Sequence, residues 1–326
     1  MRLPLILALA ASAAALSPGI RAAEFQIAVI PKGTTHEFWK SIEAGAVKAK
    51  RELATKGIAV NIIWKGPLLE DDREQQIQVV ENFIGRNVSA IVLAPLDERA
   101  LVAPVEEAVA AGIPVVIIDS RLNSTLPSST VATNNRKGGQ IGARRLGEIL
   151  GGKGRVILLR YEVGSDSSEQ REAGFLEVMK SDFPGITLIS ADQYGGATRE
   201  TAYRASQNLL NRFGEQADGI FAPNESTASG MLLALRETGL AGKVRFVGFD
   251  ANEQLVTALK EGVIQGLVIQ DPVKMGYLGV MTAVSVLRHE SVPVSIDTGV
   301  GLVTRENMDE PAIAALIHPP LAEYLK

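Results

Sequence analysis

The sequence predicts an α/β protein made of two successive doubly wound halves. Two observations carry this expectation. Short β-branched apolar runs alternate with helical patterns along the chain, and that alternation runs its course twice. Strands that are apolar throughout, rather than at every second residue, suit a parallel sheet covered by helices on both faces. Two such runs suggest two similar lobes rather than one large sheet.

In chain order, strands are expected over 25–30, 58–64, 90–94 and 114–119, with helices over 37–55, 70–85 and 98–111 between them. Lys56-Gly57, Arg86-Asn87 and Ala111-Gly112 stand just past the helix ends, where a left-handed turn stops a helix. The second run places strands at 155–159, 186–190, 219–222 and 244–250. Its helices fall at 168–181, 199–213 and 225–237, with a last one ending near Glu261-Gly262. The tail adds a strand at 263–269, a helix at 273–288 and a short strand at 301–303. A tail of this kind can cross back to the first lobe, and repeated crossing makes a hinge.

The first 23 residues are expected to be a secretory leader. Met1-Arg2 opens it, an apolar alanine-rich run follows, and Ser17-Pro18-Gly19 breaks the helix ahead of a cut after Ala22 or Ala23. The apolar run is short of the ~20 residues of a membrane span. The chain has no cysteine, which excludes disulfides, thiolate metal sites and the lipid-accepting cysteine of a lipoprotein. A soluble periplasmic monomer is therefore expected. The formal charge is -4, and losing Arg2 and Arg21 takes it to -6, which argues against a nucleic-acid partner.

Polar residues at strand ends are the candidates for chemistry, because ligands of open α/β sheets bind outside the carboxyl ends of the strands. Asp119 follows the fourth strand, Asn224 the strand at 219–222 and Asp250 the one at 244–250. Each can accept hydroxyls or can cap a helix, and Asp119 can also pair with a neighbouring arginine. After the first strand comes Pro31-Lys32-Gly33-Thr34-Thr35-His36-Glu37-Phe38-Trp39, a polar loop opening an aromatic-tipped helix. Its aromatics are either core residues or flat faces for the C–H side of a sugar ring. Lys32 is either a solvated loop lysine or a ligand contact. The run Glu70-Asp71-Asp72-Arg73-Glu74 reads as a solvated helix start. No Walker loop, dinucleotide fingerprint, nucleophile elbow or His-Glu-x-x-His pattern occurs, so no cofactor, metal or catalytic activity is expected.

In their order and spacing these pieces resemble the periplasmic sugar-binding proteins of the ribose-binding type, the class I solute receptors of ABC importers. The resemblance runs from about Phe25 to Thr304. It rests on Thr35-His36-Glu37-Phe38-Trp39 with Gly45-Ala46, Ile118-Asp119-Ser120, Gln170-Arg171-Glu172-Ala173-Gly174-Phe175, Phe221-Ala222-Pro223-Asn224-Glu225, Val247-Gly248-Phe249-Asp250 and Gln270-Asp271-Pro272. It implies two Rossmann-like lobes joined by a three-strand hinge, the type I periplasmic-binding-protein fold. The lobes would be 24–132 plus 271–297, and 133–270 plus 298–326.

The resemblance implies ligand contacts from Thr35, His36, Phe38, Trp39 and Asp119 in the first lobe, and from Asn224, Asp250 and the hinge residue Gln270 in the second. The ribose receptors carry an arginine where Ser120 stands here, and a second where Glu169 stands, while Arg171 is retained, so Ser120, Glu169 and Arg171 are candidate contacts as well. A second-lobe aromatic is replaced within Gly195-Gly196-Ala197. Those exchanges turn the pocket away from acid sugars and from ribose itself. Pro31-Lys32 is similar to the branch that binds rhamnose or a furanose-like autoinducer, which makes Lys32 a candidate contact. The function implied is capture of a small sugar or polyol for an ABC permease. The alternative is a receptor presenting its ligand to a membrane signalling protein. Repressors with this effector fold carry a helix-turn-helix before the first strand, where this chain has only the leader.

Overall fold

The computed structural model describes residues 24–325, so the expected leader and its expected cleavage site lie outside the described residues. The first half of the chain runs β1 (Phe25–Ile30), α1 (Glu37–Thr55), β2 (Val60–Trp64), α2 (Arg73–Gly85), β3 (Ala90–Leu93), α3 (Val102–Ala110), β4 (Val115–Ile118) and β5 (Ser129–Ala132). The second runs α4 (Asn135–Ile149), β6 (Lys153–Arg160), α5 (Asp166–Ser181), β7 (Gly185–Tyr194), α6 (Arg199–Phe213), β8 (Gly219–Phe221), α7 (Glu225–Glu237), β9 (Arg245–Phe249), α8 (Glu253–Lys260) and β10 (Gly266–Ile269). After these come α9 (Pro272–Leu287), β11 (Ser295–Asp297), β12 (Gly301–Val303), α10 (Pro311–Ile317) and α11 (Leu321–Tyr324).

Two six-stranded sheets result, ordered β11-β5-β4-β3-β1-β2 and β12-β10-β9-β8-β6-β7. All pairings are parallel except β10 with β12. The sheets match position by position, each with the order reversal of a doubly wound fold. Strands β3 and β4 are buried along their whole length, which is why their apolar residues do not alternate. One core under the first sheet joins α1 to α9, and another joins α2 to α3. The second sheet is covered by α6, α7, α8 and α10 on one face and by α4 and α5 on the other, where Phe175 stacks on Phe221 at 4.5 Å.

The chain passes between the sheets three times: from β5 to α4, from β10 to α9, and from β11 to β12. The first and third passages are tied together. Thr133 and Thr298 bring their hydroxyls to 3.2 Å, and Asp297 accepts from the backbone N–H groups of Asn134 and Gly299. Helices α9 and α4, each just past a passage, pack against α1 and α5, the helices that open on the cleft. Both contacts are made at glycine. A Cβ on Gly45 or Gly276 would run into the α1–α9 backbone, and one on Gly139 or Gly174 into the α4–α5 backbone. Four glycines within α4 lower its helix propensity, which kept the sequence from announcing that helix. The last turn, α11, rests on α1, where Arg51 donates to the Glu323 carbonyl at 2.9 Å and lies over the Tyr324 ring.

Candidate ligand site between the lobes

At the end of β4 the chain turns through Asp119 with φ +66°, and at the end of β9 through Asp250 with the same φ. Aspartate is one of the few side chains that tolerates the left-handed region, at a cost of order 1–3 kcal/mol. The turn keeps each backbone N–H in the sheet, to Val131 O at 3.1 Å and to Val268 O at 2.7 Å. It also delivers the carboxylate to the interlobe cleft. Neither aspartate caps a helix: α8 is capped by Asn252, whose Oδ1 accepts from Leu255 N at 2.9 Å.

Asp119 is paired with Lys32, not with an arginine. Lys32 Nζ stands 2.9 Å from Asp119 Oδ2, and both side chains are almost wholly buried. The same ammonium donates to Ser120 Oγ at 2.6 Å and, across the cleft, to Ser165 and Ser167 at 3.2 and 3.3 Å. Lys32 is therefore not a solvated loop lysine. On the other side, Asp250 accepts from Gln270 Nε2 at 2.7 Å and faces Arg171 Nη1 at 3.9 Å. Burial pushes its carboxyl up to about 6 against the pull of Arg171 and Gln270. Arg171 is fixed by Asn135 and by the Pro223 carbonyl, and its guanidinium lies over the Phe249 ring.

The aromatic pair opens α1. Trp39 is 3% exposed and belongs to the core, yet it also lines the cleft with Phe38, edge to face at 5.1 Å. Asn224 likewise lines the cleft while capping α7 through Thr227 N at 3.2 Å. His36 Nδ1 donates to Glu70 Oε1 at 2.7 Å and stands 3.5 Å from Glu225 Oε2 of the second lobe. Burial works against its charge, but the Glu70 hydrogen bond and the two carboxylates outweigh it, so its pKa is raised.

Lys32, His36, Phe38, Trp39, Asp119, Arg171, Asn224, Asp250 and Gln270 thus line one space between the lobes. Three sequence candidates do not. Thr35 is exposed at the loop tip. Ser120 lies beneath Lys32 as a buried partner of that side chain. Glu169 is turned aside, its Oε1 accepting from Gly164 N at 2.8 Å. Glu70, Tyr161, Ser167, Ser168 and Glu225 also line the space and were not singled out in the sequence. Glu70 corrects the expectation of a solvated helix start: α2 begins at Arg73, capped by Asp72, and Glu70 is 8% exposed. Tyr161 follows β6, and the strand-end rule that found the aspartates would have found it.

The lobes are drawn shut. Only about 30 Å³ of free space remains among these residues, room for a water or two. Rim contacts complete the closure: Arg73 pairs with Glu162 and with the Val163 carbonyl, and Glu98 N donates to Gly164 O. A larger hollow of about 520 Å³ adjoins through Phe38, Asp250 and Gln270, roofed by 316–322, but it holds few of the paired polar groups. Among the described residues no cluster of three or more metal-binding side chains occurs, and no helix is long and apolar enough to cross a membrane.

Residues 27–291 match the family model described as a periplasmic binding protein domain. The chain is 31% identical to the D-ribose/D-allose-binding protein of Pseudomonas aeruginosa, over 86% of this chain and 88% of that one. Among solved structures, a carbohydrate transporter solute-binding protein from Agrobacterium radiobacter, in complex with D-arabinose, superposes with a TM-score of 0.85. It is 36% identical, over 91% of this chain and 99% of that one. An ABC transporter solute-binding protein from Agrobacterium vitis with bound D-fucose also gives 0.85, at 34% identity over 90% of this chain and 100% of that one. The two lobes, with a polar cleft at the strand ends, are those of a periplasmic binding protein. The chain belongs to that family, in its ribose-binding type, and its relatives are sugar-binding proteins of ABC transporters.

Proposed function

We propose that this protein is a periplasmic solute receptor that captures one neutral small sugar or polyol between its lobes and delivers it to an ABC permease. It makes and breaks no bond. The observation that carries this reading is the balance of charge in the cleft. Asp119 has Lys32, Glu70 has His36, Asp250 has Arg171, and Glu225 has Arg199 at 2.6 Å. With His36 protonated, each carboxylate is matched by a cation and the cleft has no surplus charge for a sugar acid or an amine. It does have many directed donors and acceptors for hydroxyls, beside the flat faces of Phe38 and Trp39. A hydroxyl that fails to pair there loses its water without replacement, and this is how such a site selects.

The moving bodies in this reading are 24–132 with 271–297, and 133–270 with 298–317; the last turn, α11, which the sequence assigns to the second body, rests on α1 and goes with the first. The lobes part about the three passages, a ring enters, and its hydroxyls replace contacts that now run from lobe to lobe. The permease then meets the closed shape of a monomer released from its leader after Ala22 or Ala23.

A thermal-shift screen of the mature protein against pentoses, hexoses, 6-deoxyhexoses, polyols and sugar acids tests this. A ligand at 100 times its dissociation constant adds about 2.7 kcal/mol. A rise in melting temperature confined to one class of neutral sugar or polyol supports the reading. A rise with sugar acids alone, or with none of the panel, contradicts it.

A further inference from the structure

Glu70 is a cleft carboxylate that accepts hydrogen bonds from both lobes. Its Oε1 accepts from Trp39 Nε1 and from His36 Nδ1, each at 2.7 Å. Its Oε2 accepts from the Tyr161 hydroxyl at 2.8 Å. Trp39 and His36 belong to the first lobe and Tyr161 to the second. Room for the side chain is made by Gly33, where a Cβ would come within 2.9 Å of Glu70 Cγ. The three bonds satisfy a buried charge that would otherwise be costly. Burial alone would raise its pKa, but the His36 and Trp39 hydrogen bonds, with the charges of His36 and Lys32, leave it lowered and the group ionised.

We infer that Glu70 is the positioning residue of this site: it orients His36 and Trp39 toward the ligand and, through Tyr161, ties their orientation to closure of the lobes. The inference rests on the sugar-receptor reading for its purpose, though not for its geometry. Only the closed form offers Oε2 the Tyr161 hydroxyl. Opening leaves Glu70 with its two first-lobe partners, so the platform persists while the latch is released. A carboxylate accepts from all three donors at once. An amide of the same size has only one accepting atom, so it can serve Trp39 and His36 only by turning its N–H groups to Tyr161, whose hydroxyl then has to accept rather than donate.

Two variants test this, each with a readout that needs no ligand. In Glu70→Gln, His36 is expected to titrate at lower pH by proton NMR, since of the charges facing it only Glu225 and Arg199 remain. Sugar affinity is expected to fall by about tenfold or more. In Tyr161→Phe, His36 is expected to titrate as in the parent. The ligand-free protein is expected to show a larger radius of gyration by small-angle scattering, with affinity reduced severalfold. If Glu70→Gln leaves the His36 titration unchanged, or Tyr161→Phe leaves the radius of gyration unchanged, the inference is overturned. If the parent binds no sugar while both ligand-free effects appear, the receptor reading fails and the Glu70 latch stands.

Discussion

Asp119 and Asp250 occupy equivalent places in the two sheets, each just past the third strand of its sheet order and each at φ +66°. Each has its own partners, Lys32 on one side and Gln270 with Arg171 on the other. The two halves of the chain thus present the same strained turn to one cleft from opposite sides. Asn87 and His289 also have positive φ, but both sit just past helix ends, where that conformation ends a helix. The backbone strain at the aspartates therefore serves the cleft.

Asp119→Asn separates the charge of this residue from its conformation, because asparagine also tolerates the left-handed region. The fold is expected to persist by circular dichroism. Sugar affinity is expected to fall about 10- to 100-fold, the worth of a hydrogen bond to a charged group. Parent affinity in this variant would remove Asp119 from the site.

Ligand-free stability is expected to fall as the pH rises from 5 to about 7. Burial holds Asp250 at about 6 and Glu172 at about 7, so between their ordinary values and these the folded protein binds protons that the unfolded chain releases. His36, raised by its carboxylates, acts in the same sense: its contribution is complete below 6.5 and is lost as the pH climbs through its folded value. Urea unfolding across this range checks the slope.

Sugar affinity should run the other way over the same range. A hydroxyl donating to Asp250 favours the ionised carboxylate, so capture releases a proton below about pH 6 and strengthens as the pH approaches 7. Calorimetry in buffers of different ionisation heat measures that proton. Asp250→Asn should abolish its release, and an unchanged proton count in that variant would assign the effect elsewhere.

Gly139→Ala is expected to destabilise the protein by about 1–3 kcal/mol, because the new methyl meets the Arg171 carbonyl where α4 crosses α5. Affinity should fall with it, since Arg171 is displaced from Asp250. Gly85→Ala, where the methyl meets open space, is the matching control and should leave affinity unchanged.

Most strands and helices were legible because burial on both faces writes an unbroken apolar run into each strand. Helices such as α1, α6 and α7 begin and end where the sequence places them. β5 was missed because Ser129 and Thr130 dilute its apolar run, and α4 because its glycines lower its helix propensity. Within the site, the strand-end rule found Asp119, Asn224 and Asp250, because position along a strand is a local property. Glu70 was misread for the opposite reason. Among neighbouring acids it looks solvated, and only partners 31, 34 and 91 positions away make its burial tolerable. Glu169 failed in the other direction: its own turn claims it through Gly164.

Asp119 and Asp250 together are expected to hold one neutral sugar or polyol between the lobes. The most direct test is isothermal titration of the mature protein with the compound that gives the largest thermal shift, run in parallel on the parent and on Asp119→Asn with Asp250→Asn combined. The parent is expected to bind one ligand per chain with a dissociation constant in the micromolar range or below, and the double variant to give no measurable heat. Equal binding by both proteins would contradict this.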